Sequence, residues 1–184
     1  METKIYKSRR DNLQELLPEN SVLLIPGAEI VYRNSDSSFP FRQESNFYYL
    51  SGFCEPASLM AIIKKDNQIT SLIFVPPKDK LKEIWDGYRS GPEGAVNDFL
   101  FDKAYDNSQI DKIVPNILFG SSVVLYPIGK KDGFDQKVIN WASEAGKKDR
   151  HSKSINISDA SSIIGNARLI KDDHEISLIK KACD

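Results

Sequence analysis

Residues 35–56 read SDSSFPFRQESNFYYLSGFCEP, seven aromatic or aliphatic residues gathered around one arginine and one glutamine. The run shows neither the strict alternation of a half-buried strand nor a sustained helical period. Its aromatics favour a strand. Against that, Ser45 is a good N-cap, and Gly52 stands where a left-handed residue would end a short helix. The reading taken is a short helix or single turn over 46–51. Arg42 and Gln43, wedged between Phe41 and the helix start, are then partly buried. Their guanidinium and amide donors need carbonyls or carboxylates, and Asp36 and Glu44 are the nearest carboxylates in sequence. On this physics alone the stretch is a rigid, hydrogen-bonded loop closing one end of a sheet.

The flanking segments supply the rest of that sheet. YKSRRDNLQELL (6–17), with leucines at 13, 16 and 17 and a stop at Pro18, reads as an amphipathic helix. SVLLIPG (21–27) is a short apolar run closed by Pro-Gly, a buried strand. SLMAIIKK and ITSLIFVPP flank DNQ and predict a β-hairpin with strands near 58–64 and 69–75. PEGAVNDFLF and NSQIDKIVPNILF have helical spacing, the second disturbed by Pro115. SVVLYP (122–127) is a further buried strand. DGFDQKVINWASEAGKK is a helix with Val138, Trp141, Ala142 and Ala145 on one stripe, which makes Trp141 a core residue. KSINIS (153–158) reads as an edge strand. Strands and helices interleave throughout, so the expected class is α/β with one mixed sheet.

The 184 residues, 40% of them hydrophobic, suffice for one domain with a substantial core. Twenty-five basic residues against 26 acidic leave no field that would draw in nucleic acid or a membrane surface. The basic stretch KKDRHSK (147–153) is interrupted by Asp149 and reads as a solvated loop. There is no apolar run of transmembrane length. METKIYKSRRDNLQELL lacks the apolar region of a secretory signal. Cys54 and Cys183 fit no disulfide framework. The expected compartment is the cytoplasm. Asp172 and Glu175 in KDDHEISLIKKACD form a capping box, and Ile176 and Ile179 begin an apolar stripe that needs a partner. That helix meets the last residue before a normal course, so the expectation is a fragment of a longer chain.

Chemistry is hard to find. There is no P-loop and no G-x-G-x-x-G. His151 and His174 have no second nitrogen or sulfur ligand at metal-site spacing and read as exposed. SLIK (177–180) matches S-x-x-K without any supporting motif and reads as chance. Cys54, beside Phe53 and without a nearby histidine, reads as a buried structural thiol. The apolar strands carry no carboxylates for a two-metal site.

Three segments carry a resemblance. RNSDSSFPFRQESNFYYLSGFCEP, with Arg33, Asp36, Arg42, Gln43, Tyr49 and Gly52, resembles the signature of the N-terminal domain of the Xaa-Pro aminopeptidase (aminopeptidase P) family. These are pita-bread metallopeptidases, related to creatinase and prolidase. EIWDGYRSGPEGA (83–95) is similar to that family's E-I-W-x-G-x-R-x-G segment. ARLIKDDHEISLIKKA is similar to the segment entering its catalytic domain. The three occur in order and cover nearly the whole chain.

The resemblance implies a three-layer α/β/α domain with a mixed central sheet of ribonuclease H-like type over 1–167. Residues 168–184 would start the first helix of a catalytic domain. It implies an enzyme that releases the first residue of peptides with proline second, by means of two divalent metal ions, typically manganese. All the ligands would lie in the catalytic domain and none in this part of the chain, whose partners would be that domain, proline-containing peptides and further copies of itself in a homo-oligomer. It points to Trp85 as a substrate-cleft residue, contributed toward a neighbouring subunit, with Asp36 second and Arg89 third. Glu83, Asp86 and Arg89 leave no continuous apolar face around Trp85, and an exposed, rigid aromatic suits a contact anchor. The competing reading pins Trp85 as a loop residue within its own domain. Relatives often carry Trp-Arg-Pro soon after an aspartate, where this chain has Asp159-Ala-Ser-Ser-Ile, so any substrate contact from that arginine is missing or supplied elsewhere. The alternatives are the matching domain of a prolidase-type dipeptidase, or a non-enzymatic pita-bread-like module that only binds proteins.

Overall fold

A computed structural model describes residues 3–148 and 154–183. Helix α1 (Thr3–Leu16) leads into β1 (Ser21–Pro26), and α2 (Ser45–Ser51) follows a long connection. The hairpin β2 (Leu59–Lys65) and β3 (Gln68–Val75) turns on Asp66 and Asn67, both at positive φ. A two-residue loop of that geometry matches the right-handed twist of the strands. After it come α3 (Lys80–Asp86), α4 (Gly91–Asn97), β4 (Lys103–Asp106), α5 (Ile110–Leu118), β5 (Val123–Tyr126), α6 (Asp132–Gly146), β6 (Asn156–Asp159), α7 (Ser161–Ala167) and α8 (Asp173–Cys183).

The strands form one sheet in the order β4-β3-β2-β1-β5-β6. β2 runs antiparallel to both β1 and β3, while β4, β5 and β6 join in parallel, so the sheet is mixed as expected. Alternate strand residues face opposite layers. Leu23, Ile25, Met60, Ile62, Ile73 and Val75 pack against α1, α2, α4 and α7, and Val22, Leu24, Ala61, Phe74 and Val124 pack against α5 and α6. This is the three-layer α/β/α arrangement.

One end of the sheet gathers the informative loops. Pro26, the last residue of β1, pairs with Leu59 at the start of β2. Leu59 pairs with Phe74, Val75 with Asp106, and Tyr126 with Asp159. The segments after β1, β3, β4 and β5, and the one before β2, therefore all emerge together.

Several expectations need correction. Residues 80–86 form α3 rather than a charged loop. β4 and α7 were not anticipated, and the helix expected over 92–101 ends at Asn97. Pro115 lies inside α5 without ending it. The edge strand is shifted to 156–159. His151 and most of the basic stretch 147–153 lie outside the described residues. Among the described residues no helix is long and apolar enough to cross a membrane.

Candidate functional site

The stretch 41–55 is built around Gln43, which is 8% exposed. Its Oε1 accepts the backbone N–H groups of Ala28 at 2.6 Å and Glu44 at 2.9 Å. Its Nε2 donates to the carbonyls of Phe53 at 3.2 Å and Glu55 at 3.0 Å. One amide thus uses both acceptor and both donor positions and ties the exit of β1 to both ends of α2. The burial expected for Gln43 holds, but its partners are backbone groups rather than the carboxylates of Asp36 or Glu44. Arg42 is exposed, contrary to expectation, and its nearest polar contact is Ser45 Oγ at 3.5 Å. The reason is alternation: with Gln43 turned inward, its neighbour faces water.

Helix α2 is capped by Glu44, not Ser45; the Glu44 carboxylate accepts the Phe47 N–H at 2.8 Å. Gly52 closes the helix in the left-handed conformation at φ 65°, its N–H donating to the Tyr48 carbonyl at 2.8 Å. A Cβ here would lie 2.4 Å from the Tyr6 ring, so the position excludes other side chains twice over. Cys54 is exposed rather than buried. Partial burial pushes its thiol pKa up, away from a reactive thiolate.

Tyr49 marks the crossing towards α8. Its hydroxyl donates to the Ala167 carbonyl at 2.8 Å, and its ring lies under the guanidinium groups of Arg9, at 4.2 Å, and Arg168, at 5.5 Å. Burial raises its phenol pKa against the opposing pull of Arg9. Arg168 also bonds Asn46 Oδ1. His174 is half-buried rather than exposed, lining a cavity of about 500 Å³ with Arg9, Tyr49 and Glu175. The capping box is present: Asp172 accepts the Glu175 N–H at 2.8 Å, and Glu175 accepts the Asp172 N–H at 3.2 Å.

Trp85 stands on α3 and is 86% exposed; Leu81 is 75% and Ile84 72% exposed. They form a stripe at i, i+3 and i+4 that belongs to neither core, and Tyr88, 70% exposed, lies past the Gly87 cap. The helix is set by its ends. Asp79 accepts the N–H groups of Leu81 at 3.0 Å and Lys82 at 3.3 Å, and Gly87 closes it. Downstream, Glu83 Oε1 accepts the Arg89 N–H at 3.3 Å and Glu55 Oε1 accepts the Ser90 N–H at 2.7 Å. Arg89 is half-buried beside this linker.

Asp36 is exposed at the tip of a separate loop, where Asn34 Oδ1 accepts its N–H at 3.2 Å. Arg33 belongs to the same tip, its guanidinium 4.8 Å from the Phe39 ring. Among the described residues no hydrogen bond joins Asp36 to Trp85.

Residues that sequence reasoning missed are Glu55, Arg9 and Arg10. Arg10 is fully buried, donating to the carbonyls of Leu50, Phe99 and Leu100 and lying over Phe101; burial lowers its pKa to about 10. The 81/84/85 spacing was a legible sign of α3. Among the described residues no group of three or more His, Cys, Asp or Glu could hold a metal ion, so those residues offer no fit for the two divalent ions that the resemblance places in a catalytic domain.

Comparison with known proteins follows the same lines. A family model described as "Aminopeptidase P, N-terminal domain" matches residues 6–126. The Xaa-Pro aminopeptidase of Escherichia coli is 30% identical over 96% of this chain, which spans 41% of that protein. Intermediate cleaving peptidase 55 of Saccharomyces cerevisiae is 29% identical over 96% of this chain and 37% of its own length. A solved variant of Escherichia coli aminopeptidase P superposes with a TM-score of 0.92 at 30% identity, over 99% of this chain and 42% of the other. The chain therefore spans about two fifths of the length of these relatives.

Proposed function

Because the chain belongs to the aminopeptidase P N-terminal domain family, we propose that it is the non-catalytic domain of a metal-dependent Xaa-Pro aminopeptidase. The whole enzyme removes the first residue of peptides whose second residue is proline. Residues 1–167 form the domain, and 168–184 begin the catalytic domain, which holds two divalent ions, manganese by preference. The protein works in the cytoplasm as a homo-oligomer; two free cysteines accord with a reducing compartment.

The observation that carries this reading is the exposed stripe of α3. A tryptophan held on a helix capped at both ends has few conformations to lose on contact, which suits a cleft wall. Trp85 is the substrate contact, reaching the cleft of a neighbouring subunit; Asp36 and Arg89 are lesser candidates. The chain's own contribution to the reaction is to bind and orient peptide and to exclude water, while the metal ions supply the activated nucleophile.

The test is to incubate purified residues 1–184 with a Gly-Pro peptide and manganese. No hydrolysis is expected. Turnover by this chain alone would contradict the assignment of the chemistry to the rest of the protein.

A further inference from the structure

Helix α3 contributes nothing to either core, so the direction in which Trp85 projects depends on how its two ends are anchored. On the upstream side Pro76 and Pro77 carry the chain out of β3 with restricted φ. On the downstream side the linker from Gly87 ends at Ser90, and there the anchor is a carboxylate from elsewhere in the sequence. Glu55 Oε1 accepts the Ser90 N–H at 2.7 Å across 35 positions. Its other oxygen, Oε2, is buried and has no hydrogen-bond partner among the described residues. A buried acceptor left unmade is costly, and against that cost the carboxylate holds the Ser90 amide. Glu55 is itself fixed, because its carbonyl accepts from Gln43 Nε2 at 3.0 Å. A continuous chain of bonds therefore runs from the buried Gln43 amide, through Glu55, to Ser90, the residue that caps α4 and ends the short linker from the Gly87 cap of the helix bearing Trp85.

We propose that Glu55 is a positioning residue for the peptide substrate, acting through the Ser90 amide to aim α3 and Trp85. This rests on the reading of Trp85 as a substrate contact. Glu55 touches no substrate itself. Its loss frees the α3 linker and weakens binding, leaving the chemical step alone.

The test uses the full-length enzyme with Glu55→Ala, Glu55→Gln, Ser90→Pro and Trp85→Ala. Ser90 has φ −66°, which proline adopts, so Ser90→Pro deletes the donor N–H while keeping the φ of that residue. Two readouts are taken: amide hydrogen exchange over 80–90, and steady-state kinetics on a Xaa-Pro peptide. Glu55→Ala should speed exchange at Ser90 by about tenfold or more. It should raise KM about fivefold with kcat within about twofold, as loss of binding common to ground and transition states requires. Ser90→Pro should reproduce the KM change, and Glu55→Gln, which keeps the acceptor oxygen, should restore protection and KM. Unchanged protection in Glu55→Ala, or a fall in kcat with KM unmoved, overturns the proposal. If Trp85→Ala leaves KM unchanged while Glu55→Ala loses protection, the substrate role of Trp85 falls and the anchoring of α3 by Glu55 stands.

Discussion

The guanidinium of Arg9 donates twice to one carboxylate oxygen of Asp172, at 3.0 and 2.7 Å, across 163 positions of chain. Glu175 lies 3.6 Å away on the same side, and a further bond runs from Arg9 to the Tyr49 carbonyl at 3.1 Å. The first helix thus seats the start of α8, which buries no residue of its own. Arg9→Met should lower unfolding free energy by about 2 kcal/mol in urea denaturation, as expected for bonds between charged groups. A change within error would mean that α8 is held by other contacts.

The same pair sets an acid response. Burial alone would raise the Asp172 pKa, but the Glu175 N–H and the Arg9 guanidinium outweigh it and hold the carboxyl below its ordinary 3.8. The folded state therefore binds this proton less tightly than the unfolded state. The stability that Asp172 contributes is present above that value and is lost as pH falls through the folded pKa below it. Asp172→Asn should flatten the stability profile over that acid range; an unaltered slope would dissociate Asp172 from the response.

Gln43 offers a sharper test, since four bonds converge on one buried amide. Gln43→Leu takes the amide from two N–H groups and from the Phe53 carbonyl, while the Glu55 carbonyl keeps the Ser58 hydroxyl at 3.3 Å, and should cost about 3 kcal/mol. Thermal unfolding checks this. A loss under about 1 kcal/mol would show that water replaces the amide.

Gly52→Ala combines a left-handed backbone with a Cβ 2.4 Å from the Tyr6 ring. The expected loss is about 2 kcal/mol or more, measured by melting temperature. Wild-type stability would mean that Tyr6 moves aside freely.

Much of this was legible in the residues. The apolar runs over 21–27 and 122–127 and the hairpin around Asp66-Asn67 declared themselves because buried strands are short, apolar and bounded by turn residues. The capping box at Asp172 and the core stripe with Trp141 were legible because their spacing matches the helix period. β4, with the sequence KAYD, and α7, with SSIIGNA, were hidden: each is one short piece whose conformation is imposed by its neighbours. α3 was overlooked for a different reason: its 81/84/85 spacing was there to read, but the stripe covers no core and stands among charged neighbours. The placement of Arg42 outside and Cys54 exposed turned on which way adjacent side chains alternate, and no local pattern fixed that. The Glu55–Ser90 bond joins two motifs whose distance apart only the fold removes.

The most direct test of the central claim is the kinetics of Trp85→Ala in the full-length enzyme on a Xaa-Pro peptide, with melting temperature followed in parallel. Trp85 is 86% exposed, so the melting temperature should stay within about 1 °C of wild type, as for a surface substitution, while KM rises or kcat falls. Kinetics identical to wild type, or a variant that no longer folds, would contradict a cleft wall built from α3.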